Sequence, residues 1–153
     1  MMSRLAMWIS VTLSLIAQTA AAEWTWDQGG GSAMAETRKN GYIFRLSCEA
    51  GRGSEVYLGI RAGSGGDPDL ATARSAMLWI KLADGRTDRW PVSVSGTRSG
   101  TGGRHPVTAL NLEIFRNAVS MEVELYPQRK TLAVLDMRGS GAARLAFKEQ
   151  CGI

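Results

Sequence analysis

The chain has 153 residues, 44% apolar and 21% charged, with eighteen glycines and two cysteines. That length holds one self-sufficient core and not two comfortable ones. Glycine well above ordinary usage, without a three-residue period, sets aside collagen and coiled coil alike. The net charge of +4 falls to +3 once a leader containing Arg4 is removed, so it names no partner.

Met1 to Arg4 form a short positive end, and Leu5 to Ala17 are predominantly apolar. This run is shorter than the roughly 20 residues that span a bilayer. Ala20-Ala21-Ala22 then place small residues one and three positions before Glu23, the pattern of a signal-peptide cleavage site. The expectation is a signal peptide over residues 1–22, cleaved after Ala22, and a periplasmic or secreted mature chain with no membrane span. Export argues against nucleic acid as a partner. It also predicts that Cys48 and Cys151 form a disulfide, since an exported chain meets an oxidising compartment. Two thiols without a companion histidine or a C-x-x-C make a poor metal or redox pair, and the residues call for no metal or cofactor.

Trp24-Thr25-Trp26 followed by Gly29-Gly30-Gly31 reads as an N-terminal arm and a flexible joint over residues 23–31. Asn40-Gly41 is the dipeptide suited to a type I′ hairpin turn. Past it Tyr42, Phe44, Leu46 and Cys48 alternate with polar or opposite-facing neighbours, so Cys48 points inward. Val56, Leu58 and Ile60 repeat the pattern, and residues 63–69 read as a loop. Met77–Leu82 and Arg89–Val94 bracket a second hairpin at Asp84-Gly85, with Pro91 marking an edge strand. Residues 95–104 (SGTRSGTGGR) read as the most flexible stretch. Leu112, Phe115 and Val119 suit a short helix, Val119 to Leu125 a strand, and Leu132–Met137 a last strand. Ala143, Phe147 and Cys151 share one face of a terminal helix capped by Ser140. The fold class is mainly β: a small antiparallel β-sandwich or half-barrel over residues 32–153, with a short mid-chain helix and a C-terminal helix.

The order of these features, with Leu46, Cys48, Leu135-Asp136, Gly139, Ala143, Leu145 and Cys151 at its key positions, resembles the TagO/VasI-like family of small periplasmic proteins associated with type VI secretion. It departs from that family at Trp79-Ile80-Lys81-Leu82, where a polar Arg-x-Asp element is usual. The resemblance implies an exported accessory role in the cell envelope rather than catalysis.

Residue chemistry is sparse. His105 is the only histidine, so a nucleophilic triad must use it, oriented by Asp67, Asp84 or Asp88. Glu122 and Glu124 share a strand face, which suits a solvated surface better than a glycosidase pair. Asp67 and Asp69 fit a turn better than a calcium loop. Gly100-x-Gly102-Gly103 lacks the spacing of a nucleotide-binding loop. Residues 89–112 carry Arg89, Arg98, Arg104 and His105 and no acid, a candidate contact for a polyanion or partner. Trp24 and Trp26 are a candidate aromatic contact, or a cover for the edge of their own sheet. The expected function is a non-enzymatic envelope accessory or binding protein, with an envelope protein or peptidoglycan as partner. An inhibitor acting through the 95–105 loop and a cell-wall hydrolase using His105 are the alternatives.

Overall fold

The computed structural model describes residues 24–153; the leader expected over residues 1–22 lies outside them. Strands β1 (Thr25–Gly29) and β2 (Ser32–Lys39) are joined at Gly30-Gly31, and β2 and β3 (Tyr42–Glu49) at Asn40-Gly41. All four turn residues have positive φ, from +51° to +80°. This left-handed pair matches the twist of the flanking strands. The stretch expected as an arm with a flexible joint is therefore an edge strand and a tight turn. Its glycines serve a specific backbone geometry rather than mobility.

Strand β4 (Glu55–Ala62) leads into a short helix, α1 (Pro68–Thr72). The Asp67 side chain caps α1 by accepting from the Asp69 amide, so the stretch read as a loop ends in a helix start. The hairpin of β5 (Ser75–Leu82) and β6 (Thr87–Ser93) follows. Next come β7 (Ser95–Thr97) and β8 (Gly100–Pro106), which occupy the segment expected to be flexible. Helix α2 (Ala109–Asn117) opens with a capping box between Thr108 and Asn111. The chain ends with β9 (Ala118–Tyr126), β10 (Lys130–Asp136) and α3 (Ser140–Cys151).

Two antiparallel sheets result, one ordered β1-β2-β3-β4-β8-β7 and the other β10-β9-β5-β6, and neither closes into a barrel. The chain passes from the second sheet to the first between β6 and β7, at the buried Val94. Pro91 lies on β6, an edge strand as its missing N–H requires. Phe44, Leu46, Leu58 and Ile60 from one sheet face Leu78, Val92, Met121 and Val123 from the other across a common core. Helix α3 packs against β1, β2 and β3, and α2 packs on α3. Phe115 stacks on Trp90 at 5.7 Å and meets Trp24 edge-on at 6.0 Å. Among the described residues no helix is long and apolar enough to cross a membrane.

Two local expectations change. Val119 points outward, because the β5–β9 pairing shifts register between Lys81 and Leu82 and turns Ala118 inward instead. Ser140 is not the α3 cap: Gly139 holds that position at φ +89°, and the buried Ser140 hydroxyl donates to the Phe115 carbonyl at 3.3 Å.

Cys48, on the inward face of β3, and Cys151, on the inner stripe of α3, form a disulfide with Cα atoms 6.1 Å apart. The bridge spans 103 positions, a loop length for which chain entropy predicts about 4.7 kcal/mol of stabilisation. Replacing both cysteines by serine should lower stability by about 2–5 kcal/mol. Urea unfolding of the variant and of reduced wild-type protein checks this, and the two should coincide.

Candidate functional site

The basic residues singled out in the sequence do not meet. Arg89 pairs across strands with Trp79 on the four-stranded sheet. Arg98 sits at the β7–β8 turn, where its carbonyl accepts the Asp67 amide at 2.7 Å. Arg104 lies on β8 beside Glu55, 3.9 Å away. The 95–105 segment is thus a sheet hairpin pinned at its tip to the loop before α1, not a projecting loop. Its glycines permit close approach: a Cβ on Gly96 would overlap the Gly100 carbonyl, and one on Gly103 the Ser93 carbonyl.

His105 stacks on Trp90 with ring centres 5.5 Å apart, and its Nδ1 hydrogen-bonds the Pro91 carbonyl at 2.9 Å. No carboxylate hydrogen-bonds it among the described residues, so the orienting acid of a triad is missing there. Asp88 instead accepts from Trp90 Nε1 and Asn111 Nδ2, both at 2.9 Å. Trp24 and Trp26 part company as well. Trp24 is buried with its Nε1 donating to the Asp136 carbonyl at 2.8 Å, while Trp26 is 47% exposed on β1. Among the described residues no three His, Cys, Asp or Glu side chains gather as metal ligands.

A different set of residues forms a groove of about 250 Å³ on the outer face of the six-stranded sheet. Alternation on β4 sends Val56, Leu58 and Ile60 inward, so Tyr57, Gly59 and Arg61 face out. On β8 the outward positions facing Gly59 and Arg61 are Gly102 and Gly100. Arg45 and Ile43 on β3 lie opposite Gly59 and Arg61 on the other side. Ser95 on β7 closes the row. With no side chains at three adjoining positions, the sheet surface is open where its neighbours carry bulk. Tyr57 leans into that space: a Cβ on Gly102 would come within 2.7 Å of its Cζ, and one on Gly59 within 3.4 Å of its Cε1.

The charges bordering the groove differ in how far they are already satisfied. Arg45 donates to Glu36 from Nε and Nη2 at 3.2 and 2.8 Å. These bonds, joined by Arg38, hold the Glu36 carboxyl below the usual range despite its burial. Arg61 has no ion-pair or hydrogen-bond partner among the described residues. Among the described residues no carboxylate lines the groove. The site therefore offers an open guanidinium, a second one fixed by its own salt bridge, and a half-exposed phenol. None of these was singled out from the sequence. The signal was present as the outward half of two alternating strands, Tyr57-x-Gly59-x-Arg61 and Gly100-x-Gly102.

A second polar cluster centres on the buried Asp67. Asp67, 7% exposed, accepts from the Tyr42 hydroxyl at 2.5 Å and from Lys130 Nζ at 2.8 Å, and Lys130 also reaches Asp69 at 2.7 Å. Burial alone would raise the Asp67 carboxyl. The bonds from Lys130, Tyr42 and the Asp69 amide outweigh it and hold the group at about 2. The two aspartates in turn raise Lys130 well above an ordinary lysine. Every charge here has a partner within the cluster, which ties β3, α1 and β10 together.

Comparison of the chain with family models, with curated proteins and with solved structures finds no match in any of the three.

Because the folded-state Asp67 lies below its ordinary 3.8, its stabilisation is complete above that value and disappears as pH falls toward about 2. Asp67→Asn should therefore cost about 2 kcal/mol near neutrality. The gap from wild type should close on acidification through that window, as read from urea midpoints across the acid range.

Proposed function

We propose that the protein is a non-enzymatic binding module of the bacterial cell envelope, exported by its leader, and that it takes an anionic group in the groove over Gly59, Gly100 and Gly102. The observation that carries this reading is Arg61: an exposed guanidinium that, among the described residues, has no partner and borders a groove lined by no carboxylate. A guanidinium fork is well matched to carboxylate or phosphate oxygens. Arg45, held in place by Glu36, adds positive potential from a fixed position. Export is supported by the order of residues 1–22 and by a disulfide that needs an oxidising compartment to form. In that setting the anionic ligands at hand are peptidoglycan carboxylates and acidic envelope proteins. The likeness of Leu46, Cys48, Gly139, Ala143 and Cys151 to the TagO/VasI-like pattern supports an accessory role alongside type VI secretion.

The reading is tested by co-sedimentation of the mature, disulfide-bonded protein with purified peptidoglycan sacculi at low ionic strength. Arg61→Ser should reduce the apparent affinity about tenfold or more, the worth of one charge-assisted pair, and added salt should weaken the wild type toward the variant. Arg89→Ser, exposed on the separate four-stranded sheet, should leave retention unchanged. Equal retention of wild type and Arg61→Ser at low salt overturns the assignment of the groove.

A further inference from the structure

We infer that the anionic group entering the groove belongs to a sugar ring, so that the ligand is a carboxylate-bearing pyranose unit of a glycan. This rests on the reading of the groove as an anion site and adds a second requirement to it. The added observation is the placement of Tyr57. Gly59 and Gly102 face each other across β4 and β8, and the phenol ring lies over both of them. Tyr57 nevertheless remains 40% exposed. A ring laid along a sheet is a platform: its electron-rich face attracts the C–H groups on the apolar side of a pyranose. The glycines are what allow this posture, since a Cβ on Gly102 would also stand 2.6 Å from the Leu58 carbonyl.

The remaining borders agree with a sugar better than with a bare anion. Ile43 supplies an apolar wall and Ser95 a hydroxyl at the opposite side. The Tyr57 hydroxyl makes no hydrogen bond within the described residues and is available to a sugar hydroxyl. The Arg61 stem crosses Gly100, whose Cβ would lie 3.3 Å from Arg61 Cγ. Platform and guanidinium thus border one space, separated on β4 only by Gly59. About 250 Å³ is below the usual range of pockets for drug-sized ligands. It suits a single ring whose glycan neighbours continue outside.

The test is a titration of the full mature protein, followed by amide chemical shifts, with D-glucuronate, N-acetylmuramate, D-glucose, N-acetylglucosamine and succinate. The acidic sugars should bind in the millimolar range, shift the amides of Gly59, Gly100 and Gly102, and bind at least about tenfold more tightly than the neutral sugars and than succinate. Tyr57→Ala should weaken the acidic sugars about tenfold, in line with stacking on an aromatic side chain, while leaving succinate unchanged. Tyr57→Phe retains the ring and should bind within about threefold of wild type, which separates a lost platform from a lost fold. A preference for the muramate identifies wall glycan strands stripped of their peptides, on which that carboxyl is free, and a preference for the uronate identifies an acidic polysaccharide as the source. Succinate binding as tightly as the acidic sugars, with Tyr57→Ala without effect, overturns the sugar inference and leaves the anion groove standing. Neutral sugars binding as well as acidic ones overturns the carboxylate requirement. Shifts that stay unchanged by Arg61→Ser for every ligand overturn the underlying anion site.

Discussion

The two sheets come close together where β6 passes β8, and that approach depends on a missing side chain. A Cβ on Gly103 would overlap the Ser93 carbonyl oxygen and stand 3.0 Å from Val92 Cγ1. At this point the chain has just left the four-stranded sheet and is about to enter the six-stranded one, so the backbone of β6 must lie almost against β8. The contact places Trp90 beneath His105 and against Phe115. An aromatic series then runs inward from β8 through β6 and α2 to Trp24. Close packing of this kind accepts no extra atom without displacing its neighbours.

The same strand shapes the outer surface. Gly103 lies on the inner side of β8 and makes the sandwich close; Gly100 and Gly102 lie on the outer side and leave room for Arg61 and Tyr57 to lean across the sheet. One short segment thus sets both how the sheets pack and where a ligand can rest. The groove is built on strands rather than on loops, which holds its side chains in a narrow range of positions. Arg45 illustrates the consequence. Its salt bridge to Glu36 spends its charge locally but fixes its place, whereas Arg61, two register positions along the β3–β4 pair, has no charged partner among the described residues.

Other ties keep the scaffold from shifting around the groove. The Cys48–Cys151 bridge fastens α3 to β3. At the far side, Tyr42, Asp67 and Lys130 connect β3 and α1 to β10. Asn40 adds a bond to the Leu132 carbonyl at 3.0 Å, and Trp24 adds one to Asp136. These contacts join the two sheets through groups that satisfy one another, the buried Asp67 among them. The Asp67 cluster is therefore better read as structure than as chemistry.

Local alternation and turn chemistry already determine much of this protein from its sequence. Asn40-Gly41 specifies a hairpin because both residues accept left-handed backbone. The alternation of Phe44, Leu46 and Cys48, and the four-residue spacing of Ala143, Phe147 and Cys151, turn both sulfurs toward one core. Mainly β architecture, the edge position of Pro91 and the disulfide follow from those short-range patterns. The glycines of residues 95–104 were illegible for a physical reason. A glycine needed for a turn and a glycine needed for close approach are the same residue, and only the neighbours in space tell them apart. Glycine there meant contact with Ser93, Tyr57 and Arg61, all set by long-range pairing. Arg89, Arg98 and Arg104, close in sequence, were sent to separate places by the strands that carry them. Arg45, Tyr57 and Arg61 were brought together across β3, β4 and β8. Which positive charge stays unsatisfied is a property of strand register, and only the tertiary structure decided it.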